Sequence, residues 1–306
     1  MATSSVSADY SAITTIGALG NPCSNTVDFF DCAHVDAAAS AIDTYIENCK
    51  EINKLWGHTA EISPEFSRLL LLGYVSAIES FLRSVFRSII NTDAKAQADA
   101  FSYLIPFGAF LYHSKATVAE SLLEGISFAS EQAIKSALNK FLDHSNVPDE
   151  IKDMLEEFEK ICQMRHCCVH RFGKLGTQNG ISLGLALHSK ALEKPLVLDK
   201  NDLGDIASWL MSFAKALNNF MFRILLERST SEKNVYRTSW HWTYSKDKAK
   251  FLRIYNLFVT AKDGTPSPPA EDMYERFKLA RQSRKKKVVT STSTAASVPP
   301  PSGEAV

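Results

Sequence analysis

SPEFSRLLLLGYVSAIESFLRSVFRSII, residues 63–90, is the stretch on which the fold turns. Ser63 offers a capping hydroxyl, Pro64 fits a first turn that has no use for its missing N–H, and Glu65 puts a carboxylate at the positive end of the helix dipole. From that start Leu71, Val75, Ile78, Leu82, Val85 and Ile89 recur at intervals of three and four, an apolar stripe along one helix reaching about Ile90. Such a stripe needs partners, and the flanking sequence supplies more helices. His34 to Trp56 keeps helical spacing, as do residues 94–113 with a break at Pro106. Ala116 to Leu142 breaks near Gly125 and resumes at Ser130. Pro148-Asp149-Glu150 opens a helix that runs to about Phe172 and stops at Gly173, and Asn201 to Glu227 is the last strong one. Only Gly180 to His188 (GISLGLALH), with Pro195 to Leu198, reads as strand. The expectation is an all-α helical bundle with a small β-hairpin insertion and disordered termini.

The chain divides by composition. Residues 1–30 are Ser/Thr/Gly-rich and read as a flexible arm, 31–230 as the helical domain, 231–263 as an aromatic and basic extension, and 264–306 as a low-complexity tail with a short helix near Asp272 to Lys285. The apolar share of 45% supports a sizeable core. No uninterrupted apolar run reaches the ~18–20 residues that span a bilayer, and the N-terminus lacks the basic and apolar regions of a signal peptide. A cytoplasmic protein without a membrane partner is expected. The six cysteines show no CxxC spacing and read as small buried hydrophobes rather than a disulfide framework. Thirty-four basic residues balance thirty-four acidic ones, so any site for a polyanion must be local.

The local concentration of chemistry is ICQMRHCCVHRFGK, residues 161–174. RNA cleavage needs a base for the ribose 2′-OH, an acid for the leaving 5′-oxygen, and a cation for the charge that builds on phosphorus. Histidine titrates near neutrality and suits the proton transfers. Arginine stays charged and suits the phosphorane. Arg165 and His170 are therefore sufficient parts for a metal-independent 2′-OH attack. Five residues along a helix turn through about 500°, so the two side chains diverge by about 140°. Either the helix ends between them or a second chain completes the site. An Arg and a His at this spacing also occur at ordinary solvated helix ends.

The wider pattern resembles a known family. RHCCVHRFGK resembles the Arg-polar-x-x-x-His signature of HEPN domains, including the small or apolar residues before the His and a Gly after it. Tyr74 to Ile90, YVSAIESFLRSVFRSII, is similar to the HEPN helix that carries a Glu in an apolar stretch followed by a Leu-Arg pair, here Glu79, Leu82 and Arg83. The resemblance spans roughly residues 35–228. It implies a dimerising helical bundle in which Arg-x4-His segments of two protomers face each other and cleave RNA without metal. It makes Arg165 and His170 the catalytic pair, His166 the polar residue between them, and Glu79 an orienting partner of the active-site Arg. Glu79 alternatively pairs with Arg83, four residues on. Cys167 and Cys168 depart from the pattern and allow redox sensitivity. HEPN ribonucleases serve defence, toxin–antitoxin pairs or RNA processing, so an antitoxin or defence-system partner is a further expectation. Members without catalysis act as dimerisation and RNA- or nucleotide-binding modules, and exposure of Arg165 and His170 separates the two readings.

Other signals compete. Cys162, His166 and His170 share a helix face and, with Cys167 nearby, resemble zinc ligands. Structural zinc sites draw on two separated knuckles, and the sequence has no second cluster, so neither metal nor cofactor is expected. Phosphate loops, dinucleotide-binding glycines and HExxH are absent. The basic side chains expected at RNA phosphates are Arg171 and Lys174 beside the motif and Arg276, Arg281, Arg284, Lys285, Lys286 and Lys287 in the tail. His241 between Trp240 and Trp242 mixes aromatics with bases as single-strand binders do, although a packed aromatic cluster at the bundle end is the commoner meaning.

Overall fold

The helix announced by residues 63–90 is α2 (Pro64–Thr92), and the rest of the fold is arranged around it. In this computed structural model the described residues are 9–11, 13, 15–17, 20, 25–35, 38–115 and 117–295, with side chains as far as Ser283. They fall into two units, residues 1–38 and 39–306. Among the described residues of the first, a 3-10 turn at Thr26–Phe29 has no buried residue. The rest of the expected arm lies largely outside the described residues.

The described residues of the second unit are mostly helical. Ser63 accepts the amide of Phe66 and Pro64 occupies the first turn, as the sequence requires. Ser40 caps α1 (Ala41–Trp56) in the same way, and Ser130 caps α5 (Glu131–Leu142). Asp199 and Asp202 form a reciprocal capping box at the start of α9 (Lys200–Thr230). Helix α6 (Asp149–Arg171) begins after Pro148. Short helices α3 (Ala94–Ala100) and α4 (Phe107–Tyr112) lie either side of Pro106. Helices α1, α6 and α9 all pack on α2. The stripe Leu71, Val75, Ile78, Leu82, Val85 and Ile89 is fully buried. Tyr45 of α1 meets Phe81 at 5.7 Å, and Phe158 of α6 stacks on Phe213 of α9 at 4.7 Å. By length and composition α2 would cross a bilayer, more than the sequence reading allowed, yet more than half of its most apolar window is buried by neighbouring helices.

Two expectations need correction. No strand forms among the described residues, and the hairpin is replaced by α7 (Thr177–Ser182), α8 (Leu185–His188) and a 3-10 turn at Ser189–Ala191. The segment is mostly exposed, so it satisfies its own backbone locally: Gly180 donates to Gly176, Leu183 to Asn179 and His188 to Gly184. Leu and Ala, two of the strongest helix formers, fill Leu185–Leu187. Only single bridges survive, Lys174 with Pro195 and Leu175 with Leu192. The second correction concerns the tail. The short helix expected near Asp272 to Lys285 is present but longer, as α11 (Ala270–Ala295), and it docks on α10 (Tyr244–Tyr255) with Tyr274 fully buried. Residues 296–306 lie outside the described residues.

Candidate active site at the end of α6

Helix α6 ends in a left-handed turn. Phe172 adopts φ 51 and Gly173 φ 91, and both amides donate to the Cys167 carbonyl. A left-handed phenylalanine is strained, and Arg68 of α2 lies over its ring at 5.3 Å. The same Arg68 donates to the Leu196 carbonyl at 3.0 Å and pairs with Glu65 at 2.9 Å. One α2 side chain thus ties the end of α6 to the chain that returns after α8.

Arg165, His166 and His170 occupy the last two turns before this cap, and α6 is continuous through all three. The helix does not end between Arg165 and His170, so they leave it on different faces. Arg165 donates to Glu79 at 3.4 Å, and both side chains are mostly shielded. Ser127 donates to the other carboxylate oxygen of Glu79 at 3.1 Å. Arg83 is not the partner of Glu79. It donates to the carbonyls of Leu123 and Ile126 and reaches Glu120 at 3.6 Å, which secures the loop that carries Ser127. Ser127 lies far from both motifs in sequence and carries no local signal of this contact.

His166 is half-buried with its ring centroid 6.3 Å from that of the exposed His170. Burial, and after it the positive charge of Arg165, hold the His166 imidazole below its ordinary pKa, so its neutral form dominates at neutral pH. Cys162, Cys167 and Cys168 lie on the inner side of the helix. Burial pushes all three thiols up, Cys168 to about 11, so they are protonated at neutral pH and pack as small hydrophobes. Among the described residues no group of three or more His, Cys, Asp or Glu converges on a metal position.

No protein-family model matches the chain, and no curated protein or solved structure matches it.

The basic residues separate. Arg171 donates to both carboxylate oxygens of Glu193, at 2.8 and 2.6 Å. Lys174 is exposed just past the cap. Arg276 is exposed and Arg281 half-buried on α11, which packs mainly on α10 rather than α6, while the side chains of Arg284, Lys285, Lys286 and Lys287 lie outside the described residues. The aromatic run at 240–244 is packed. Trp240 and Trp242 meet Phe277 at 5.3 and 5.5 Å, and the backbone amides of His241 and Trp242 donate to the buried carboxylate of Asp247.

Proposed function

We propose that this chain is a metal-independent endoribonuclease of the HEPN type, a cytoplasmic homodimer whose site combines Arg165 and His170 from two protomers. The observation that carries the reading is the contact of Arg165 with Glu79, which fixes a cation from the α2 side while His170 stands exposed on the same helix end. A catalytic arginine has to be aimed, and a carboxylate braced by Ser127 aims this one. Because one continuous helix turns the two groups about 140° apart, a two-fold pairing of α6 ends is the simple way to bring an arginine and a histidine to one phosphate. Exposed Val169 and Phe172 flank His170 and supply apolar surface for that pairing.

In the proposed reaction the ribose 2′-oxygen attacks phosphorus as a histidine takes its proton. The P–O5′ bond breaks and the 5′-oxygen leaves with a proton from an acid, His170 serving one of these transfers. Arg165 stabilises the charge on the non-bridging oxygens. His166, neutral at neutral pH, positions the phosphate. The products are a 2′,3′-cyclic phosphate and a 5′-hydroxyl.

Purified protein incubated with mixed RNAs in EDTA tests this. Cleavage is expected to persist, DNA to be inert, and mass spectrometry to find cyclic phosphate ends. Arg165→Ala and His170→Ala are each expected to lose at least ~100-fold in rate while remaining folded. Cleavage leaving 3′-hydroxyl ends, or abolished by EDTA, would rule the mechanism out. RNA binding without cleavage would make the chain a helical RNA-binding module. The HEPN resemblance implies a setting in defence, toxin–antitoxin control or RNA processing, with an antitoxin-like or defence-system partner as the control.

A further inference from the structure

Residues 100–114, AFSYLIPFGAFLYHS, contain no Asp, Glu, Lys or Arg. Such a run belongs in a core, yet only Ala109 of α4 is buried. Leu104 is 96% exposed and Tyr112 90%, and Phe101, Phe107, Phe110 and Leu111 are all more than half exposed. A buried aromatic side chain covers roughly 150–250 Å², so four aromatics and two leucines in this state leave on the order of 900 Å² of apolar surface open. The largest patch on a typical monomer is about 300–600 Å², whereas a stable protein interface takes about 800 Å² from each partner.

Beside these protrusions lies a hollow of about 350 Å³ lined mainly by Ile90, Ala100, Tyr103, Ile105, Val118 and Leu122. An apolar space of roughly 150 Å³ already holds a benzene ring, so this one has room for an aromatic or leucine side chain. Protrusion and hollow on the same surface are what a two-fold, self-complementary contact requires, because each copy then offers the knob and the socket. Most charges at the rim are paired. Lys95 pairs with Asp99, His113 approaches Glu124, and Arg83 and Arg87 hold Glu120. Three of these bases are met by carboxylates, and Lys115 at the hollow with Lys140 over Tyr103 leaves only a small positive excess, short of the cluster of about four to eight bases that selects an anionic bilayer.

We propose that the segment from Phe101 to Tyr112 is a self-association face on which a second copy of this chain docks about a two-fold axis. It is separate from the α6 end. Arg68 near the start of α2 touches Phe172, while Ile90 and Asn91 near its end line the hollow, and twenty-two residues of helix span about 33 Å. The inference does not depend on the proposed chemistry.

Sedimentation velocity of the full chain across a micromolar concentration series tests it. The unmodified chain is expected to associate. Leu104→Glu with Phe110→Glu is expected to weaken that step by roughly 100-fold, as loss of two interface anchors does, with unchanged thermal melting because both sites are exposed. Should the double variant fail to fold, Leu104→Glu alone decides, since that side chain is almost wholly in solvent. Phe172→Glu strikes the α6-end pairing proposed above, so the step is read in that background, where association is expected to persist until Leu104→Glu and Phe110→Glu are added. A chain that stays monomeric, a double variant that associates as strongly in that background, or a step lost in Phe172→Glu alone overturns the proposal. So does a chain monomeric in buffer that co-floats with phosphatidylcholine vesicles, which would assign the face to lipid.

Discussion

At the scale of single residues, Gly173 shows how a backbone position can govern a site. Its φ of 91 is open to glycine and strained for any side chain. A Cβ there would meet Arg68 Cδ at 2.4 Å, inside contact distance. Arg68 has little room to retreat, because it is held by the Leu196 carbonyl and Glu65 and lies over Phe172. Gly173→Ala is therefore expected to cost about 2 kcal/mol, within the range for an incompatible left-handed position. Thermal melting should fall by about 4–8 °C. A melting temperature unchanged within 1 °C or so would mean that the α6 end rearranges freely, and that His170 is not held where the cap puts it.

At the scale of elements, the long helices were legible because burial and helical periodicity agree. The stripe on α2 is the buried face, and the Ser63-Pro64-Glu65 start is the observed cap. The helix opened by Pro148-Asp149 and closed at Gly173 was equally readable. The segment at 180–188 was misread because an apolar run of that length does not separate strand from exposed short helix, and the deciding hydrogen bonds are local. The sequence left Glu79 open between Arg83 and Arg165, the second only as the resemblance implied; its contact with Arg165, like those of Ser127 and Arg68, comes from tertiary packing that no spacing encodes. Asp93 is a junction of the same kind. It ends α2, accepts the Ala96 amide to cap α3, and receives Arg228 of α9 at 2.6 Å. Arg228 is buried, and its other contact is with the Phe141 carbonyl. Asp93→Ala removes the cap and leaves a buried guanidinium without its carboxylate, a combined loss of about 3 kcal/mol at the low end for such pairs. Urea denaturation should show it. A loss below about 1 kcal/mol would mean that water replaces the carboxylate at Arg228.

At the scale of the whole molecule, residues 240–277 form a clamp whose two jaws come from sequence of opposite character. The aromatic extension supplies Trp240, Tyr244 and Phe251, and α11 supplies Tyr274 and Phe277 to pack against them. At its centre Tyr274 donates to Asp247 at 2.6 Å. Burial raises the Asp247 carboxyl, but hydrogen bonds from Tyr274 and from the His241 and Trp242 amides outweigh it, so its pKa lies below the usual value and the group is ionised at neutral pH. Deleting residues 288–306 removes none of these partners and should leave melting unchanged. Deleting residues 270–306 takes away Tyr274 and Phe277, uncovers the aromatic cluster and leaves a carboxylate short of a donor. Losses of this kind run to about 3–5 kcal/mol, which for a unit of this size lowers the melting temperature by roughly 10 °C. The Asp247 contribution has a definite pH signature. A depressed carboxyl stabilises the fold above its unfolded pKa of about 3.9 and loses that effect as pH falls through the folded value. Tyr274→Phe, which keeps the ring and removes the donor, should therefore cost stability at neutral pH, and the difference from the unmodified chain should shrink on acidification below about pH 4. A difference constant between pH 7 and pH 3 would mean that the ring alone holds α11 in place.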